Sequence, residues 1–233
     1  MPGSFSIRFG AVCGWIGLIG VVSLFIVIPT LLAGQPPTST TDPATVVAYF
    51  SHSELAPMNG VLGPFVGVLA IIPFAIGLRA AIREGAGERS SAFADLGLAV
   101  VVVAAPIYLI SGALAAALVD AAGRDAGTFA TLFRLYDVLY DAGADVLEGG
   151  WIAAFSVAMI GGRLPAWLAW LGIAVGLSRW VKAFAPFVPA VGVITLPSGL
   201  LFILWFISAV VVLTRVALRT RTGPAPAAAR GAA

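Results

Sequence analysis

Charge is what this sequence has least of. Only 10% of its 233 residues are Asp, Glu, Lys or Arg, against about 25% in a soluble domain, while 60% are hydrophobic and mean hydropathy is +1.04. A chain this apolar cannot cover itself with polar surface in water. That excludes an ordinary soluble domain and makes the lipid bilayer the first expected partner. The lone cysteine, Cys13, excludes an internal disulfide and a Cys-built zinc or iron–sulfur site, and reads as a small buried apolar residue. The lone histidine, His52, excludes the paired-His motifs of di-iron bundles and zinc proteases, and reads as a solvated loop residue. Net charge is +2 and the basic residues, twelve Arg and Lys182, are scattered, which excludes a phosphate-tracking surface and hence nucleic acid. Alternating strands of about ten residues are missing, which argues against a β-barrel. No cofactor is called for.

What is there is long apolar runs. A membrane-crossing helix needs about 20 largely apolar residues, and backbone amides in lipid must bond within their own helix. Six stretches meet this: Ala11–Ala33, Gly60–Ala81, Ala92–Val119, a fourth ending near Ile160, Pro165–Phe184 and Ala190–Thr214. The first exceeds a signal-peptide core, about 7–15 residues, and reads as a retained span. The expected fold is therefore all-α, a six-span bundle over residues 1–221, with 222–233 as a disordered cytoplasmic tail. Thr41-Asp42-Pro43 is a helix-start signal, with Val46, Val47 and Phe50 at helical spacing, so a short surface helix is expected there. Gly161-Gly162-Arg163-Leu164 reads as a tight turn. Gly10, Gly14 and Gly17 share one helix face, and Gly63 and Gly67 form a GxxxG; both suit close packing within the bundle. Pro73 and Pro106 are the expected kinks.

Arg and Lys set the expected orientation. The N-terminal side holds Arg8, Arg79, Arg83, Arg89, Arg163, Arg215, Arg219, Arg221 and Arg230; the other holds Arg124, Arg134, Arg179 and Lys182. The excess places both termini in the cytoplasm, with an acidic outer side.

One constellation carries chemistry. In the fourth span Asp137, Asp141, Asp145 and Glu148 are spaced four, four and three. In α-helical register, about 100° per residue, these steps put all four on one face. Counting back from the turn places Glu148 about 14 residues, roughly 21 Å, into its helix, and Arg179 the same distance into the next. Asp145 comes level with Lys182. Interhelical pairs Glu148–Arg179 and Asp145–Lys182, with Arg134 near Asp137, would neutralise charges that each cost about 2.5–3.5 kcal/mol unpaired near mid-membrane. Two functional alternatives compete: an acidic face lining a vestibule for a cation, proton or cationic solute, or carboxylates holding Mg²⁺ for a transfer reaction. Asp-x-x-x-Asp-x-x-x-Asp resembles the acidic motifs of membrane prenyltransferases and CDP-alcohol phosphotransferases, but the Asp-Gly-x-x-Ala-Arg half of the latter and the second acidic motif of the former are absent.

The run Arg163-Leu164-Pro165-Ala166-Trp167-Leu168-Ala169-Trp170-Leu171-Gly172, the Asp42-Pro43-Ala44 segment ahead of Tyr49-Phe50, and Pro197-Ser198-Gly199-Leu200-Leu201 before a span closing at Arg215 together resemble the bacterial multi-span family called domain of unknown function 4386. Members often carry an Arg-x-x-Glu pair in the third span, where this chain has Asp95. The resemblance implies a multi-pass protein of the bacterial plasma membrane and no established activity. The leading expectation is a non-enzymatic membrane protein, either a small transporter or a subunit with a membrane partner or a second copy of itself.

Overall fold

The computed structural model describes residues 2–23, 31, 37, 41–51, 63–84, 87–122 and 125–219. The tail 222–233, His52 and the start of the second apolar run, 60–62, lie outside the described residues. Among those described there are helices and no strand. They are α1 (Pro2–Val22), α2 (Pro43–Phe50), α3 (Gly63–Arg83), α4 (Glu88–Ala121), α5 (Ala126–Asp137), α6 (Asp145–Met159), α7 (Ala166–Lys182) and α8 (Thr195–Arg219). A π-helical segment, Val138–Ala144, joins α5 to α6 in one continuous helix, and a 3₁₀ segment, Pro189–Ile194, leads into α8.

Three of these helical stretches, Ser4–Val22, Glu88–Ala121 and Ala190–Arg219, are long and apolar enough to cross a membrane. Helices α1 and α4 start before their apolar runs and α3, α4 and α8 end beyond theirs, while α7 is slightly shorter than its run. Helix α1 begins at Pro2 rather than Ala11, because proline is accepted at a helix start and Ile7 is buried within the bundle. Helix α4 reaches Glu88, whose charge suits a helix N-terminus. Asp42 caps α2 by accepting from Thr45 N at 2.9 Å, with Pro43 in the first turn, as the signal there requires. The Gly161 turn carries a positive φ of 75°, open to glycine at no steric cost.

Helices α1, α3, α4, α6, α7 and α8 pack each on the next, and α8 returns to α1, closing a ring. Glycine sets the closest approach. A Cβ on Gly10 would lie 2.6 Å from Gly77 Cα and 2.8 Å from the Pro73 carbonyl, so α1 and α3 meet backbone to backbone. Gly14 and Gly17 lie against Phe74, Val210 and Ala70. The Gly63–Gly67 side of that stretch lies outside the described side chains. Inside the ring, Phe74 meets Phe206 edge to face at 5.0 Å, and Trp151 meets Trp205 at 5.5 Å. The outward faces are apolar too: Phe5, Phe9 and Ile16 of α1, Val102 and Val103 of α4, and Trp167 and Trp170 of α7 are all exposed.

Neighbouring helices run antiparallel. Gly97 meets Phe155, Tyr108 meets Glu148, and Trp15 donates to Thr214 Oγ1 at 3.2 Å. One end of the ring therefore gathers Arg8, Arg79, Arg83, Arg89, Arg163, Arg215 and Arg219. There Asp95 accepts from Arg79 Nε at 2.5 Å and from Arg83 Nη1 at 3.3 Å. The opposite end holds α2, Asp120 and Asp125.

Candidate functional site

The contact between α6 and α7 is built on two glycines. A Cβ on Gly149 would fall 2.8 Å from the Gly176 carbonyl, and one on Gly176 would fall 2.9 Å from the Gly149 carbonyl. The indole of Trp180 lies against Gly149 and donates to the Val146 carbonyl at 3.1 Å. This close approach puts the first turn of α6 opposite the last turn of α7. Two acids there face two bases.

Asp145 accepts from Lys182 Nζ at 2.6 Å through one oxygen and from Arg179 Nη1 at 3.1 Å through the other. Glu148 Oε2 lies 2.9 Å from Arg179 Nε. That N–H is not aimed at the oxygen, so the contact is Coulombic rather than a hydrogen bond. The other Glu148 oxygen accepts a long hydrogen bond, 3.4 Å, from the Tyr108 hydroxyl of α4. The Arg179 guanidinium lies 4.8 Å from the Phe202 ring centroid of α8, within cation–π reach. Beside it Ser178 and Ser198 share a hydrogen bond at 3.1 Å across α7 and α8. Four helices thus converge on Arg179.

Three of the four are buried, and the group is balanced. Asp145 is 3% exposed, Lys182 6% and Arg179 8%. Two carboxylates and two cations leave a formal charge of zero. Lone charges in such surroundings are costly, and pairing removes most of that cost.

The two pairs counted from the turn, Glu148–Arg179 and Asp145–Lys182, are the pairs that meet. Sequence reasoning missed that Arg179 also binds Asp145, that Tyr108 and Phe202 complete the site, and that Trp180 ties the two helices. Tyr108 could have been found as one of few polar groups in a largely apolar span; Phe202 had no such signal.

The single acidic face assumed one α register from Asp137 to Glu148, and the helix does not keep it. The π segment adds one residue to a turn, which offsets the α5 acids from the α6 acids by about one residue, roughly 100°. Asp137 is buried at the far end of that segment, where α5 packs on α4. Asp141 belongs to the π segment, and its side chain lies outside the described ones. Arg134 is exposed. A surface depression lined by Asp125, Thr128 and Leu132 lies at the start of α5, away from the tetrad. Among the described residues no three His, Cys, Asp or Glu side chains converge as metal ligands would. Both Asp145 oxygens are already held by cations.

Compared with known proteins, the chain matches no family profile, no curated protein and no solved structure.

Proposed function

We propose that this chain is a six-span, non-enzymatic protein of a bacterial plasma membrane, both termini cytoplasmic, whose polar centre is a charge-balanced lock between its fourth and fifth spans. The observation that carries the reading is Asp145, held by Arg179 and Lys182 from the neighbouring helix with almost no surface exposed. The lock makes a partner subunit, or a second copy of the chain, the natural setting. Its charges are spent on holding helices, while the outward faces remain apolar.

Three further observations support a membrane setting. The ring is apolar outside as well as inside, which water would not tolerate over so many faces. Exposed aromatics mark both ends of α7, Trp167 and Trp170 at one and Trp180, Phe184 and Phe187 at the other, as in an interfacial belt. Arg8, Arg79, Arg83, Arg89, Arg163, Arg215 and Arg219 gather at the end where α1 begins and α8 ends, which the positive-inside rule assigns to the cytoplasm. Membership of the multi-span family that the Leu164–Gly172 opening resembles is part of the same proposal.

Exchange of charge tests the lock. Asp145→Lys and Lys182→Asp should each lower accumulation and thermal stability, and the double exchange should recover both. A double exchange no better than either single variant would remove the reading.

A second reading has its own observation. Glu148 is the more open carboxylate, 13% exposed at the side chain, against Asp145 at 4%. It would serve a transporter of protons or small cations, since intramembrane carboxylates commonly mark such pathways. In proteoliposomes Glu148→Gln or Asp141→Asn would then abolish flux; unchanged flux removes transport. The Mg²⁺ transferase is the least supported, since Arg179 and Lys182 take the oxygens a hard cation would need.

A further inference from the structure

Among the described residues the hydrophobic interior falls into two clusters. The larger fills the ring and takes Ala94 and Val101 from α4 and Trp151, Ile152 and Phe155 from α6. The smaller joins Val46, Tyr49 and Phe50 of α2 to Ala115, Leu118 and Ala121 of α4 and Phe129 of α5, with Tyr136 packed against it. Phe50 is its hub, edge to face with Phe129, Phe133 and Tyr136. Two helices run through both clusters: α4 and the continuous α5–α6 helix.

Where the clusters change over, α4 carries a proline inside an unbroken α-helix and its neighbour carries a π segment. On α4 the change falls between Val101 and Ala115, and Pro106 lies in that interval. Proline has no N–H to give the Val102 carbonyl, and its ring crowds the preceding turn. On the neighbouring helix the change falls between Tyr136 and Trp151, and the interval holds the π segment. The two features are side by side, since a Cβ on Gly143 would meet Ile107 and Tyr108 bonds Glu148. Sharp bends in helices occur at prolines and π segments. By the same antiparallel pairing Ser111 falls level with the π segment. Ser111 is 2% exposed and its hydroxyl has no hydrogen-bond partner, as is also the case for Ser156 within the ring.

We propose that α2, the outer part of α4 and α5 form one rigid cap that swings on a paired hinge at Pro106 and Val138–Ala144. The swing opens the seam above Tyr108 and Glu148 and admits water from the acidic end to the tetrad. This rests on the membrane reading of the tetrad given above. Two bodies with their own cores, joined by segments that absorb the backbone change, are the ordinary anatomy of hinge closure.

The test is a set of distance distributions between spin labels on the full chain in lipid bilayers, in a Cys13→Ser background. One pair spans cap and ring, Leu135→Cys with Leu177→Cys; the other lies within the ring, Leu96→Cys with Leu177→Cys. All three positions are exposed. The cap–ring distribution should be broad or two-peaked and the ring pair narrow. Pro106→Ala, and separately deletion of Ala142, should collapse the cap–ring width to that of the ring pair. Should the deletion not fold, Pro106→Ala decides alone. A cap–ring pair as narrow as the ring pair in the parent, or a width indifferent to Pro106→Ala, overturns the hinge. Failure of the lock would instead show in the thermal stability of the Asp145 and Lys182 exchange, which these distances do not read.

Discussion

Replacing Asp145 by asparagine keeps the shape of the site and removes one charge, so it isolates the electrostatics. With Lys182 Nζ at 2.6 Å and Arg179 Nη1 at 3.1 Å, Asp145 is the member held by both cations. At an effective dielectric of about 20, unit charges 2.6 Å apart attract by about 6 kcal/mol. Most of that gain is offset by the water that both groups gave up, so the intact pair is worth little in net terms. Loss of one partner is different. The Asp145→Asn variant would leave two buried cations facing Glu148 alone, a net charge of +1 in a largely buried site, at a cost of about 3–5 kcal/mol. At about 2–4 °C per kcal/mol for a chain of this size, Tm should fall by about 6–20 °C. Asp145→Leu with Lys182→Met removes charge from both sides and should cost less than Asp145→Asn alone, despite changing more atoms. Thermal unfolding of the purified protein in mild detergent, followed by tryptophan fluorescence, reads both. A Tm for Asp145→Asn within about 2 °C of the parent, or a double variant less stable than the single, would refute the reasoning.

Three more outcomes follow from the geometry. Gly10→Val drives a side chain into the Gly77 and Pro73 backbone and should cost about 1–3 kcal/mol, whereas Gly87→Ala, with nothing within 4 Å, should leave Tm unchanged. Asp125 caps α5; the Thr128 side chain, with the Thr128 and Gly127 amides, holds its carboxyl below the usual range. A group with a lowered folded-state pKa stabilises above its unfolded value, about 3.9, and loses that contribution as pH falls through the folded one. Acid should therefore lower the protection of the Gly127 and Thr128 amides, relative to their intrinsic exchange rates, before that of the rest of α5, Asp125→Ala should do so at neutral pH, and equal protection in that variant would contradict the cap. Finally, in a Cys13→Ser background, an impermeant maleimide on intact cells should label Thr128→Cys and spare Arg163→Cys; the reverse pattern would invert the proposed orientation.

Much of this was legible because the controlling physics is local. Apolar runs mark helices, Asp42-Pro43 marks a helix start, and a four-residue turn fixes which residues of two antiparallel helices come level. That count found Glu148 opposite Arg179 and Asp145 opposite Lys182. What escaped it depends on tertiary packing. No local pattern in Val138–Ala144 announces a π turn, since its residues would fit an α-helix. The turn arises where one end of the helix is committed to α7 and the other to α2 and α4. The early start of α1 depends on Ile7 finding a buried place against its neighbours. Tyr108 and Phe202 belong to the site only because the ring closes as it does.

Depth is the quantity on which the account stands. A spin label at Val146→Cys, exposed beside Asp145 on α6, reports it through collision rates with oxygen, which prefers lipid, and with a nickel chelate, which stays in water. In reconstituted bilayers the label should collide far more with oxygen, placing the tetrad inside the hydrocarbon boundary. Dominant nickel collisions, like those of a label at Thr128→Cys, would put the four charges in water and contradict a membrane-embedded lock.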